Sequence, residues 1–393
     1  SHIWRVAQPV NLHLMPLWWR ARRPEELTVR ALHDGKELAL LLVWADETND
    51  HTAMRPQDFR DAVAVLERAA SPVIIAGGGA TRAAAGVTAL AERLGAPVLT
   101  TLNGKATVDE RHPLSLGANL RLAAARAVAE SADVLIVLGS KLGEAELWAP
   151  TLDATGSVLR VDISAAQLDK NLDATVAIEG DCATVLDGLL AGLPGKPRPR
   201  PDLAVVRSAI AAETRAALPE TVALAERIAS ALPEDAIVAG DSSQIVYMAL
   251  ANTLVQPMPH SLLYTPTYAT LGYGLPAAIG ARVAQDDRPV VAVVGDGALM
   301  FCVNELATAV EQRLDLTIVC VDNGGYAEIR QNEVDRGIVP VGVDLVQPDW
   351  AALADAFGAT GRRVAGTADV APAIRDAIAA GGVQLVHISQ AVL

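Results

Sequence analysis

Two apolar runs constrain this chain more than anything else in it. Residues 290–294 read Val-Val-Ala-Val-Val and end in Gly295-Asp296-Gly297; residues 316–321 read Leu-Thr-Ile-Val-Cys-Val and end in Asp322-Asn323-Gly324-Gly325. The stretch between them, 301–313, carries a helical pattern. Strand, helix, strand is the unit of a right-handed crossover, which predicts that both strands lie parallel in one sheet. Their polar turns then stand at the same carboxyl edge, where open α/β sheets take their ligands. Either turn alone reads as an ordinary glycine turn, because Gly, Asn and Asp accept positive φ. A hairpin is excluded by the intervening helix. Together the turns bring one carboxylate, one amide oxygen and free backbone N–H groups to one place. Hard oxygens suit Mg2+ or Ca2+, and open N–H groups suit a diphosphate.

The rest of the chain extends this pattern on both sides. From residue 56 onward, apolar runs at 72–76, 97–101, 133–138 and 157–163 alternate with helical stretches at 57–69, 82–94 and 120–129. Alternation of that kind predicts a parallel sheet covered on both faces. Four prolines within 194–201 break the pattern and read as a linker. Helices at 204–217 and 221–232 follow, and a second series of strands begins at 236–239 and closes at 383–388. The expected organisation is an atypical N-terminal segment (1–51), an α/β domain (52–190), a Pro-rich linker (191–201) and a second α/β domain (202–393). The first 50 residues hold four of the 6 Trp and show no clean alternation of strand and helix. They read either as a helical extension or as the end of an upstream domain.

Composition narrows the classes. With 393 residues, 51% of them hydrophobic, the chain has material for more than one core. A net charge of −14 argues against a nucleic-acid binder. No apolar run approaches the ~18 residues of a membrane span. The start lacks the basic and apolar regions of a signal peptide. The 3 Cys are far apart, at 182, 302 and 320, so no disulfide framework or CxxC site is available. That fits a reducing cytoplasm.

The motif pair resembles the thiamin-diphosphate motif of the acetolactate synthase and 2-oxo-acid decarboxylase family. In this chain 24 residues separate Gly297 from Asp322, and Asp322-Asn323 stands where the family has Asn-Asn. Leu271-Gly-Tyr-Gly-Leu-Pro-Ala-Ala-Ile-Gly-Ala281, Asn304-Glu-Leu-Ala-Thr-Ala-Val310 and Asp241-Ser-Ser-Gln244 are similar to the segments around it. The resemblance runs from about 55 to 393. It implies two three-layer α/β domains with parallel sheets, a Rossmann-like central one and a thiamin-diphosphate-binding one. It also implies that Mg2+ is held by Asp296, the side chain of Asn323 and the backbone carbonyl of Gly325. The diphosphate would meet Gly295, Gly297, the N–H groups of Ala298 and Leu299, and, from the other side, Ser243 and Gln244. Leu271 would wedge the cofactor into a V, with the Ala269 carbonyl accepting from the pyrimidine amino group; a plain core leucine is the other reading of Leu271. FAD binds the central domain of some members. The Gly77-Gly78-Gly79 turn does not call for it, since the third glycine of a dinucleotide fingerprint falls on Arg82. Asn103-Gly104-Lys105 lacks the upstream glycine of a phosphate loop.

The implied activity is decarboxylation of a 2-oxo acid, or its carboligation to acetolactate. The family's activating Glu belongs to an N-terminal domain, and none of Glu25, Glu26, Glu37 or Glu47 has its context, so no catalytic residue is assigned. The expectation is a fragment, or a chain whose partner supplies that domain. The family's sites lie between subunits, which implies at least a dimer. Past the motif, Glu328 and Glu333 replace the surroundings of the synthases' Gln-Trp pair, and Pro348-Asp-Trp350 resembles the synthase-like decarboxylases, including the guanidino-oxopentanoate type. A carboxylate at the pocket would suit a cationic oxo acid. Glu328 and Glu333 are five apart and do not share a helix face squarely, so at least one of them reads as a solvated charge.

Overall fold

A computed structural model describes residues 10–13, 26–33, 38–44, 56–149 and 151–390, with the first three segments and residue 56 as backbone only. Trp4, Trp18 and Trp19, like Glu25, Glu37 and Glu47, lie outside the described residues. The three N-terminal segments are strands β1 (Val10–His13), β2 (Glu26–His33) and β3 (Leu38–Trp44), paired antiparallel in the order β1-β2-β3. Val10 stands opposite Val29, and Leu27 opposite Trp44. This overturns the helical-extension reading. The overlooked signal is the period-two run Leu27, Val29, Ala31 between Thr28 and Arg30.

The first parallel sheet is built from β4 (Pro72–Ala76), β5 (Val98–Thr100), β6 (Val134–Leu138), β7 (Ser157–Asp162) and β8 (Val176–Glu179), in the order β5-β4-β6-β7-β8. Its strands are apolar on both faces because helices cover both. Ile74 and Ala76 of β4 pack into one core with the helices Ala84–Leu94 and Cys182–Gly192. Val73 and Ile75 pack into the other, with the helix Ala123–Glu130. The helix expected from 120 begins only at Ala123, where the Glu213 carboxylate takes the first N–H groups (Ala123 N to Oε1 2.7 Å, Ala124 N to Oε2 3.0 Å). Glu213 belongs to the helix Ala204–Ala217, which follows the linker. Leu203, at its N-cap, and Ile210 lie in the same core as Val73 and Ile75.

The second sheet comprises β9 (Ile237–Gly240), β10 (Leu262–Leu263), β11 (Val290–Gly295), β12 (Leu316–Asp322), β13 (Thr360–Arg363) and β14 (Val383–Ser389). All its pairs are parallel, in the order β10-β9-β11-β12-β14-β13. Alternate residues of β11 face separate cores, Val291 and Val293 on one side, Val290, Ala292 and Val294 on the other. The expected helix at 301–313 is shorter, Glu305–Glu311, and is preceded by a helical turn, Asp296–Leu299, formed by the glycine motif itself. Chain order reverses between β9 and β11, which makes that edge the switch point of the sheet. All three cysteines are buried free thiols. Among the described residues no helix is long and apolar enough to cross a membrane.

Two polar ties join the sheets. Buried Lys105 donates to both oxygens of Glu110 at 2.7 Å, and Glu110 Oε2 accepts from the Gln256 N–H at 2.8 Å. Arg121 donates to Met248 O at 2.9 Å and to Asn252 Oδ1. Lys105 is thus half of a buried structural ion pair.

Candidate functional site

The carboxyl ends of β9, β11 and β12 converge on a cavity of about 410 Å3. β9 supplies Ser243 and Gln244, β11 supplies Gly295 through Ala298, and β12 supplies Asn323 and Gly325; Ala269 and Leu271 close another wall. Ten of the eleven site residues named from the sequence therefore line one cavity. The exception is Leu299. Its side chain packs into the core beneath the turn Asp296–Leu299, which leaves the role expected of its backbone N–H untouched. Leu271 is half-buried at the cavity, so it is not a plain core leucine. Ala269 adopts φ 53°, a left-handed conformation rare outside glycine. Gly295 has a steric reason to be glycine, because a Cβ there would lie 2.8 Å from Ser243 Cβ and push the β9 loop away.

The three oxygens assigned to a cation meet. Asn323 turns one side-chain amide atom to within 3.0 Å of the Gly325 carbonyl oxygen and 3.2 Å of Asp296 Oδ1. In the cation-free chain an N–H at that atom satisfies both oxygens. With the amide oxygen there, three oxygens converge, which is what a divalent cation neutralises. Among the described residues no three His, Cys, Asp or Glu side chains cluster. The donor set is one carboxylate with neutral oxygens, suited to a hard cation and unsuited to zinc. Burial, and then the neighbouring Asp322, pushes the Asp296 carboxyl up to about 6. Both oxygens of Asp322 are engaged elsewhere: Oδ1 accepts from the Gly324 N–H at 2.9 Å, and Oδ2 meets His387 Nε2 at 3.1 Å. The departure from Asn-Asn thus comes with a buried histidine partner that the sequence did not single out.

Sequence reasoning also missed the walls. Leu102, Ala145 and Trp148 reach the cavity from the first sheet's loops, and Tyr247 and Tyr264 from the second. Arg121 lies over the Trp148 ring at 5.0 Å, and that ring stands 6.0 Å from Tyr247. Of the two glutamates, Glu328 lines the cavity and accepts from Gln244 Nε2 at 2.8 Å and from Asn332 Nδ2 at 3.1 Å, whereas Glu333 is not among the lining residues. Burial, then the Glu328 carboxylate, pushes the Tyr247 hydroxyl well up. The Gly77 turn serves packing: a Cβ on Gly77 would lie 2.3 Å from Gly139 O, so glycine lets two loops meet.

A doubly covered parallel sheet with a glycine-lined cavity at its switch point is the architecture of a cofactor-binding α/β domain. Comparison with known proteins agrees. Residues 59–189 match the central domain of thiamine pyrophosphate enzymes, and residues 242–388 match their C-terminal TPP-binding domain. The chain belongs to this family. It is similar to a probable 2-ketoarginine decarboxylase of Pseudomonas aeruginosa, at 35% identity over 85% of this chain and 60% of the relative. It is also similar to the large subunit of acetolactate synthase isozyme 1 of Escherichia coli, at 30% identity over 86% of this chain and 61% of the relative. A probable acetolactate synthase large subunit of Methanocaldococcus jannaschii is 29% identical over 83% of this chain and 58% of the relative. The chain spans about three fifths of the length of these curated relatives.

Proposed function

We propose that this chain carries the cofactor site of a thiamin-diphosphate- and Mg2+-dependent decarboxylase acting on a 2-oxo acid with a basic side chain. Asp296, Asn323 and the Gly325 carbonyl would hold Mg2+. The backbone of Gly295, Gly297, Ala298 and Leu299 would bind the diphosphate, joined by Ser243 and Gln244, and Leu271 and Ala269 would set the cofactor's shape. When bound, thiamin diphosphate supplies the electron sink that lets a 2-oxo acid lose CO2. The observation that carries the substrate class is Glu328, a carboxylate on the cavity wall, held in place by Gln244 and Asn332. A guanidinium can pair with it through charge-assisted hydrogen bonds. The similarity to a probable 2-ketoarginine decarboxylase supports the same reading.

The cavity is open on one side. Ile329 lines it yet is 53% exposed, and Met300 and Phe301, next to the glycine motif, are also exposed. Among the lining residues the acidic side chains are Asp296, in the cation site, and Glu328, bonded to Gln244. By the family resemblance, the carboxylate that activates the pyrimidine would belong to a further domain, carried by a second copy or another chain. The test is a specificity panel on an assembly that turns over, comparing wild type with Glu328→Gln. The variant is expected to lose roughly 10- to 100-fold in kcat/KM for a guanidino oxo acid and little for a neutral one, the worth of about one charged hydrogen bond. If wild type makes acetolactate from pyruvate far faster than aldehyde from any basic oxo acid, the carboligase reading replaces this one.

A further inference from the structure

Gln347 lies outside every motif that marks the site, yet its Nε2 donates to Asp296 Oδ2 at 2.5 Å. Its Oε1 accepts from Trp350 Nε1 at 3.2 Å, and Trp350 is fully buried. These two bonds settle which way the amide points. An indole N–H only donates, so it holds the amide oxygen and leaves the amide N–H groups for the carboxylate. The two oxygens of Asp296 thereby take separate tasks. Oδ2 is held by Gln347, and Oδ1 lies 3.2 Å from the Asn323 amide atom that also meets the Gly325 carbonyl.

The segment bearing Gln347 is fastened to the cation loop. Tyr326 N–H donates to Val343 O at 2.8 Å, and Leu345 N–H to Gly324 O at 2.9 Å. Gly325 and Asp344 form an antiparallel bridge between these bonds. The approach is close enough that a Cβ on Gly325 would lie 2.3 Å from Val343 O. On the other side Asp349 caps the helix Trp350–Ala356 through the Ala352 N–H at 3.2 Å. Gln347 is thus anchored before and after, and its reach to Asp296 does not depend on a free loop.

We propose that Gln347 is a positioning residue for the cation site, holding Asp296 so that Oδ1 alone is presented, with Trp350 setting the direction of the amide. The inference rests on the cofactor reading above. Partners that orient a metal ligand commonly matter about 10- to 100-fold in metal affinity.

Mn2+ is the probe, titrated into the 393-residue chain with saturating thiamin diphosphate and followed by electron paramagnetic resonance. Gln347→Leu is expected to weaken Mn2+ binding about 10- to 100-fold and to change the spectrum of bound Mn2+. Trp350→Phe, which keeps the ring and loses the N–H, is expected to weaken it in the same direction by less. The double variant should bind no more weakly than Gln347→Leu alone, because the indole acts through the amide. Wild-type affinity and spectrum in folded Gln347→Leu overturn the inference, and so does full additivity in the double variant. If Gln347→Leu does not fold, Trp350→Phe decides, and wild-type binding there overturns it. Asp296→Ala separates the two levels. If it too keeps wild-type Mn2+ affinity, the cofactor reading itself has failed; if it abolishes binding while Gln347→Leu does not alter it, only the inference falls.

Discussion

In the proposed cation site Asp296 would bring the single formal charge to the donor set, and Asn323 would add a neutral oxygen. Asp296→Ala is therefore expected to abolish Mg2+-dependent thiamin-diphosphate binding in calorimetry, and Asn323→Ala to weaken it strongly; unchanged affinity in both removes the assignment. Asp241, at the end of β9, poses a different problem. It is fully buried, and burial pushes it up to about 7 against the pull of Ser243 and the Gly295 N–H. A carboxyl whose folded pKa lies above its ordinary 3.8 favours folding at low pH. That contribution is lost as pH rises from about 4 to about 7. The melting temperature of Asp241→Asn should accordingly gain on wild type across that window and hold a constant lead above it. A gap that does not vary with pH means the folded chain already tolerates the ionised carboxylate.

At the scale of elements, glycines separate close approach from mere turning. Gly77 has φ −95°, open to any residue, so the cost of Gly77→Ala is the collision with Gly139 O. About 1–3 kcal/mol of destabilisation is expected. Gly280, within the helix Gly274–Ala284, has nothing near its missing Cβ, and Gly280→Ala should stabilise by about 0.5–1 kcal/mol. Denaturant melts of both variants check the pair, and equal signs contradict the steric account. The same scale shows which elements a sequence betrays. The apolar strands β4, β6, β11, β12 and β14 were legible because burial on both faces demands unbroken Val, Ile and Leu. The edge strand β13, Thr360–Arg363, was not, because its residues are polar and largely exposed. The start of the helix Ala123–Glu130 was missed because Glu213, 90 residues away, supplies its cap.

At the scale of the molecule, ligand linkage gives the broadest test. A ligand that binds only the folded chain stabilises it by about 2.7 kcal/mol at a hundredfold excess over Kd. Thiamin diphosphate with Mg2+ should raise the melting temperature by a few degrees, and ATP or NAD should not. The reverse order of effects would place the site among ordinary nucleotide binders. The cavity takes Leu102, Ala145 and Trp148 from one sheet and the cradle from the other. A binding isotherm is therefore also expected to respond to loss of Glu110, whose bond to the Gln256 N–H ties the sheets together.

The sequence by itself determined the α/β class, the two sheets and the cation and diphosphate motif. Such information is local: a period of two or 3.6 names the element, and glycine with Asp or Asn at a strand end names the turn. Tertiary structure alone decided which distant residues meet. It brought the β9 loop against the β11 turn, turned Leu299 into the core and separated Glu328 from Glu333 at the cavity wall. It also carried Gln347 across 51 positions to Asp296. None of these follows from periodicity, because each depends on loops whose course is set by packing between elements, where no local repeat exists to be read.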